Sequence, residues 1–428
     1  MKKHAIIPIF IPHRGCGHEC VFCNQRLITA RQPDVTPEDV RSILDTWLST
    51  MQRLADPLES DSVTSPDSAP GADGRPERPG LETIEAAFYG GSFTGLPMEE
   101  QAAFLAVTKE YKDSGRIDKI YLSTRPDYID SAILDQLRAF GVDTIELGVQ
   151  SFDPEVRELS RRGHSVDDIY RACELIKSYG FELGIQLMIG LPGDSYEKCM
   201  DSVRQTVSIG PSLARLYPTV VLADTELQRM YEAGLYHPLT TEEAVAITRD
   251  MYRVLDDAGI TILRVGLKST DLISDSDDSN ASEEACSRGD DHDCRSSNVC
   301  SDRGGAVLAH SFHPAFRQLV EGEIAREDLE AQLQKLLRGE TSDAACDETL
   351  DAPCEGTTSS ETKKDACSHQ NDQRSYTHVI FAACGESFSN MIGHKTCNKQ
   401  YFSEKYPNVS IRFTVDNSLP RGTYQVKL

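Results

Sequence analysis

The sequence predicts an α/β fold: a partial (β/α) barrel with a small α+β extension at its C-terminal end and acidic insertions outside the core. Two patterns and one contrast of composition predict it. Short apolar runs rich in β-branched residues alternate with segments of helical period, and helix-start and helix-stop residues fall between them. Three stretches, by contrast, are too poor in large apolar side chains to pack.

Residues 5–11 (AIIPIFI) open the series of strands, and residues 84–89, 117–122, 144–149, 182–188 and 214–221 continue it. Between them Val40, Ile43, Leu44 and Trp47 mark one helix face, Ile129, Ile133, Leu134 and Leu137 a second, and Ile169, Ala172, Cys173 and Ile176 a third. Pro37 and Pro97 sit where helices begin, Gly141 and Gly180 where they end. Repeated strand–helix units call for parallel strands joined by right-handed crossovers, closed or partly closed into a barrel; an open doubly wound sheet is the alternative. The barrel is expected over residues 1–265, with a flexible insertion at 53–80. A disordered acidic insertion at 271–304, a helical extension at 305–338, a disordered acidic linker at 339–376 and a small α+β tail at 377–428 follow.

The chain has 428 residues and a formal net charge of −24, but 53–80, 271–304 and 339–376 carry −3, −7 and −6 of it. The overall acidity therefore says little about what the folded part binds. The tail is the one segment with a clear positive balance, six Lys and Arg against three Asp and Glu, and His394, Lys395, Lys399, Lys405 and Arg412 are its candidates for phosphate contacts. No apolar run approaches the ~18–20 residues of a membrane span, and the first residues do not have the pattern of a signal peptide. The 13 cysteines are then expected as reduced thiols or metal ligands in a cytoplasmic protein.

Chemistry concentrates in Cys16-Gly-His-Glu-Cys20-Val-Phe-Cys23, directly after the first strand. Thiolates are soft ligands, and three within eight residues on a Gly-containing loop can converge on one metal centre. A structural zinc site needs a fourth ligand, for which His13 or His18 stands nearby. A four-iron cubane held by three thiolates instead keeps one iron open to a small chelating molecule. Cys286, Cys294, Cys300, Cys346, Cys354 and Cys367 lie in the Ser/Asp stretches without paired spacing and read as incidental thiols. Cys173, Cys199, Cys384 and Cys397 read as small core residues.

At this loop the chain resembles the radical S-adenosylmethionine (SAM) superfamily, whose hallmark is CxxxCxxC with an aromatic before the last cysteine. The resemblance implies a [4Fe–4S] cluster on Cys16, Cys20 and Cys23, and SAM chelated to the open iron and cleaved to a 5′-deoxyadenosyl radical. It also implies a reducing electron donor such as ferredoxin or flavodoxin. Phe22 matches the aromatic near adenine, and Gly90-Gly91-Ser92 the turn that holds the methionine amine. Ser123, Arg125 and Gln150, at the ends of the third and fourth strands, are candidates for the ribose and carboxylate of SAM. Arg162 matches a carboxylate-binding arginine and reads equally well as an exposed linker charge, while Gln186 faces the same site if the strand register holds.

STRPDYID, IELGVQSFD, RRGHS, IGLPGD and LYPTVVLADTELQRMYEAGLYHPLTTEEAV together resemble the catalytic subunit of Elongator, which modifies the wobble uridine of tRNA, and its bacterial relatives. This covers roughly residues 5–265, the SAM barrel. No acetyl-CoA-binding pattern follows, so only the radical half of that chemistry is implied, with tRNA as the partner. The GVQSF and GLPG strings are shared with oxygen-independent coproporphyrinogen oxidases, which implies a small-molecule alternative such as a tetrapyrrole. A zinc-stabilised RNA-binding protein without turnover is a third reading.

Overall fold

The structure, a computed structural model, describes residues 4–11, 15–24, 35–55, 82–267, 307–310, 313–339 and 377–428. The insertions expected at 53–80, 271–304 and 339–376, and the six cysteines in the last two, lie outside the described residues, apart from the helix end at 53–55 and Gly339.

In the first compact unit, Met1–Arg317, the strands are β1 (His4–Phe10), β2 (Thr83–Tyr89), β3 (Lys119–Thr124), β4 (Thr144–Gln150), β5 (Glu182–Ile189), β6 (Leu213–Pro218), β7 (Val220–Leu222), β8 (Thr261–Val265) and β9 (Val307–His310). Seven of them form one sheet in the order β1-β2-β3-β4-β5-β6-β8. Every neighbouring pair is parallel. β7 and β9 make a separate antiparallel pair. The run expected at 214–221 is therefore two strands, split at Thr219, and β8 was not anticipated. The region expected to be helical from 305 opens instead with β9.

Helices α1 (Pro37–Ala55), α2 (Met98–Asp113), α3 (Ser131–Ala139), α4 (Pro154–Leu159), α5 (Val166–Ser178), α6 (Tyr196–Ile209), α7 (Glu226–Glu232) and α8 (Thr241–Asp257) alternate with the strands. Local sequence sets their starts. Asp130, Asp153, Ser195 and Thr225 accept from backbone N–H groups of the first turn, and Ser165/Asp168 and Thr240/Glu243 form reciprocal capping boxes. α3 and α5 stop at Gly141 and Gly180, both with positive φ.

The two faces of the sheet differ chemically. On β5, Leu183, Ile185, Leu187 and Ile189 are buried, whereas Gln186 and Met188 on the opposite face are half-buried. The second face is concave. Four strand spacings separate β2 from β6, about 19 Å in a flat sheet, yet Arg215 on β6 donates from Nη2 to the Tyr89 hydroxyl on β2 at 2.6 Å. Only a curled sheet brings those side chains together, and β1 and β8 remain its two edges. This is the expected partial barrel.

The second unit spans Gln318–Leu428. Nearly all of helix α9 (Phe316–Leu337) belongs to it, with strands β10 (Thr377–Ala383), β11 (Val409–Val415) and β12 (Tyr424–Lys427) and helices α10 (Phe388–Ile392) and α11 (Cys397–Lys405). The sheet order is β11-β10-β12, parallel then antiparallel. Ala325, Leu329 and Leu333, one turn apart on α9, share its core with Val379, Phe381, Met391 and Phe402. The helix and the tail therefore form one body rather than an extension and a separate tail. Cys384 is buried as expected; Cys397, at the first position of α11, is exposed, a correction to its core assignment. Lys405 is held by Glu330 at 2.6 Å and Lys427 by Asp416 at 3.0 Å, so part of the tail's positive charge is neutralised within the unit.

Candidate functional site

The cysteine loop is laid across the C-terminal ends of the strands by backbone contacts. Gly17 N–H donates to the Tyr128 hydroxyl beyond β3 at 3.1 Å, and Val21 N–H to Ser160 O after α4 at 3.2 Å. Leu227 N–H donates back to Val21 O at 2.7 Å, and Asn24 Nδ2 to Ala223 O at 3.0 Å. Two glycines make the seating possible. A Cβ on Gly15, whose φ is +75°, would stand 2.2 Å from Ser92 O, and a Cβ on Gly95 would stand 1.8 Å from Gly15 O. The loop thus rests directly on the Gly90–Gly95 turn. On its other side, a Cβ on Gly163 would meet the His18 ring at 2.2 Å.

Cys20 is buried, and two guanidinium groups reach its sulfur: Arg162 Nη1 at 3.1 Å and Arg125 Nη1 at 3.9 Å. Cys16 and Cys23 are half-buried. Among the described residues no three His, Cys, Asp or Glu side chains are gathered as a ready metal site. His13, one suggested fourth ligand, lies outside the described residues, and His18 pairs with Asp127 at 3.5 Å.

Behind Cys20 lies a buried basic cluster. Arg125, 3 % exposed, clamps Asp127 through Nε and Nη2 at 3.0 and 3.1 Å, and Nη2 also donates to Arg162 O and lies 3.2 Å from His164 Nδ1. Its Nη1 lies 3.9 Å from the Cys20 sulfur. Arg162 is also buried, not an exposed linker charge; Nη2 donates to Gly148 O, Nη1 faces Cys20, and Nε has no partner. Arg157 donates to the carbonyls of Ser151 and His164. Burial, then the charges of Arg162 and Arg125, pushes Arg157 down to about 10. Burial, then Arg162, Arg157 and Arg125, pushes His164 down to about 2, so that ring is neutral. Three guanidiniums thus surround a neutral histidine and are offset within the cluster by Asp127.

The other expected residues group around this centre. Phe22 packs beside Val21, Val221, Leu227 and Tyr236, with its ring centroid 5.9 Å from the Arg162 guanidinium. Gln150 ends β4 at a bulge with φ +69°, a left-handed conformation unusual for a residue with a side chain, and accepts from Gln186 Nε2 at 3.3 Å. Gln186 on β5 therefore lies beside Gln150. Gly91, Ser92 and Ser123 line a small cavity with Ile11 and Tyr89; Gly90, at φ +97°, turns the chain out of β2.

Sequence reasoning missed Arg157 and His164, and also a polar layer on the concave face below the mouth. Glu146 on β4, 1 % exposed, accepts from Tyr121 Oη at 2.5 Å and Ser123 Oγ at 2.9 Å. Arg215 Nε lies 2.8 Å from its Oε2, off the N–H axis, so the two pair mainly as charges.

Residues 76–206 match the family model of the radical SAM superfamily, and residues 211–326 that of the Radical_SAM C-terminal domain. The chain belongs to the radical SAM superfamily. The cysteine loop precedes the matched span, so its assignment rests on its own motif and seating. The superfamily chain is 27 % identical over 274 residues to the tRNA uridine(34) acetyltransferase of Methanocaldococcus infernus, covering 57 % of this chain and 48 % of that one. It is 23 % identical over 222 residues to Elongator complex protein 3 of Homo sapiens, covering 45 % and 41 %. This radical SAM chain therefore spans about half the length of these curated relatives. A solved structure of the archaeal Methanocaldococcus infernus Elp3 aligns over 63 % of this chain and 61 % of that one, at 21 % identity and a TM-score of 0.45. At that score the likeness is loose, and the architecture rests on the strand order and curl described above.

The donor set fits an iron–sulfur cluster. Three thiolates on iron bring net negative charge into a buried place, and Arg125, Arg157 and Arg162 supply positive charge there in excess of Asp127. The Arg162 Nε that has no partner is a donor waiting for an acceptor. No helix among the described residues is long and apolar enough to cross a membrane.

Proposed function

We propose that this chain is a [4Fe–4S]-dependent radical SAM enzyme that modifies a uridine base in tRNA. Cys16, Cys20 and Cys23 would hold the cluster. Gly90, Gly91, Ser92, Ser123, Gln150, Arg162 and Gln186 would bind SAM, with Phe22 beside its adenine. Bound there, the cluster and SAM supply reductive cleavage to a 5′-deoxyadenosyl radical, with the electron delivered by a donor such as ferredoxin or flavodoxin.

The chain's own residues divide the work. Arg125 braces the Cys20 sulfur, and Asp127 fixes Arg125 in place. Arg162 bridges Cys20 and the β4 bulge, with Nε left for a carboxylate. The bulge sets Gln150 beside Gln186 of the neighbouring strand. The loop itself lies across the strand ends.

The observation that carries this reading is Cys20 seated between Arg125 and Arg162 over the polar mouth of a parallel barrel. Similarity to tRNA uridine(34) acetyltransferases supports uridine as the substrate. The test is anaerobic reconstitution with iron and sulfide, followed by incubation with SAM, a reductant and total tRNA, and nucleoside mass spectrometry. A modified uridine that needs SAM is the expected result; deoxyadenosine formation with unchanged tRNA removes the RNA half of the proposal.

A further inference from the structure

The layer beneath the mouth holds a hydroxyl with work left to do. Barrel interiors are normally filled by branched apolar side chains, yet here Tyr89, Tyr121, Glu146 and Arg215 meet on the concave face. The donors are largely committed: Tyr121 and Ser123 donate to Glu146, and Arg215 Nη2 donates to Tyr89 Oη at 2.6 Å. Tyr89 is the exception. Its oxygen is occupied as an acceptor, so its orientation is fixed, but its own hydrogen has no acceptor among the described residues. Tyr89 is half-buried, ends β2 directly before the expected SAM turn, and is among the residues that line the small cavity beside Gly91, Ser92 and Ser123.

The charge of this floor narrows the ligand. Arg215 is matched by Glu146, so the layer is neutral overall and suits a neutral acceptor better than a phosphate or carboxylate. The rings of Tyr121 and Phe10 pack directly against that of Tyr89, at 5.6 and 6.1 Å, and help to hold it in place. A uracil base taken out of its stack, as enzymes acting on bases require, offers such a neutral acceptor.

We propose that Tyr89 is a substrate-binding residue whose phenol, oriented by Arg215 and through it by Glu146, donates a hydrogen bond to a ring carbonyl oxygen of the uracil base. This rests on the uridine reading above. Glu146 and Arg215 act as positioning residues, since neither needs to touch the base.

The experiment is a coupling measurement on the reconstituted enzyme. Wild type and Tyr89→Phe are compared on anticodon stem-loop RNA carrying uridine, 2-thiouridine or 4-thiouridine at the target position, with kcat/KM read from modified nucleoside. Tyr89→Phe is expected to lower kcat/KM on the uridine RNA by about 3- to 10-fold, the effect of one neutral hydrogen bond. One of the two thio substitutions, which exchange the accepting oxygen for a poor acceptor, is expected to cost wild type a similar factor and Tyr89→Phe almost nothing. Because the comparison is made within each protein, partial misfolding of the variant cancels. Losses that multiply for both thio RNAs, or a variant as fast as wild type on uridine, overturn the proposal alone. A wild type that modifies none of the RNAs overturns the uridine reading and this proposal with it.

Discussion

Replacing Arg215 by Met removes a charge from the middle of the barrel while keeping most of its stem volume. Glu146 is 1 % exposed and would retain the Tyr121 and Ser123 donors but lose its counter-charge at 2.8 Å. Breaking a buried pair from one side costs roughly 3–5 kcal/mol, because the stranded charge has nowhere to go. Two surviving hydrogen bonds place this case near the lower end, about 3 kcal/mol. At ~2–4 °C per kcal/mol for a unit of this size, Tm should fall by about 6–12 °C. Arg215→Met combined with Glu146→Gln should recover most of the loss, since the amide oxygen still accepts and no charge is stranded. The assay is thermal unfolding by circular dichroism on the same preparation used for the chemistry. A single variant within about 1–2 °C of wild type, or a double variant no better than the single, would show that the pair is not mutually required.

Two further outcomes follow from other parts of the structure. Gly15→Ala should reduce iron incorporation on reconstitution, because its Cβ would stand 2.2 Å from Ser92 O at a φ of +75° and the cysteine loop would lift from its seat; Gly180→Ala, whose Cβ meets nothing within 4 Å, is the control with the same backbone strain. At the opposite end of the barrel, the hydrogen bond to Glu85 raises the pKa of His4 despite its partial burial. The stabilisation is therefore complete below the unfolded value of about 6.5, and is lost as pH rises through the raised folded value. His4→Gln should flatten the fall of Tm above that pH, and an unchanged pH profile would contradict the assignment.

The sequence made the first five strands legible to within a residue or two, because each is an apolar run bounded by turn or cap residues. β8 was not, because Thr261–Val265 is five residues long with an exposed start and a half-buried arginine, too little period to separate from a loop. The split of 214–221 at Thr219 was signalled only by Pro218, which ends β6; the residues on either side read as one strand, and β6 and β7 differ in which strand they pair with. The cysteine loop, the Gly90–Ser92 turn and Gln150 stood out because their chemistry depends on residue type at short spacing. Tyr89, Glu146 and Arg215 could not be read that way. Each sits inside an apolar run, and they become neighbours only because the sheet curls enough to bring β6 to β2. Arg125 shows a third limit: its position at a strand end was readable, but its aim at Cys20 depends on Asp127 and His164, which hold it from either side.

Cys16, Cys20 and Cys23 are proposed to hold together a cluster with one iron open to SAM. Iron and sulfide content, measured on anaerobically reconstituted wild type and on the three single Cys→Ala variants beside electron paramagnetic resonance of the reduced protein, tests it most directly. About four irons and four sulfides per chain are expected in wild type, with a signal that changes when SAM is added, and both should be lost in each variant. Zinc in place of iron, or a variant at any of the three positions that keeps the full iron content and the same signal, would contradict it.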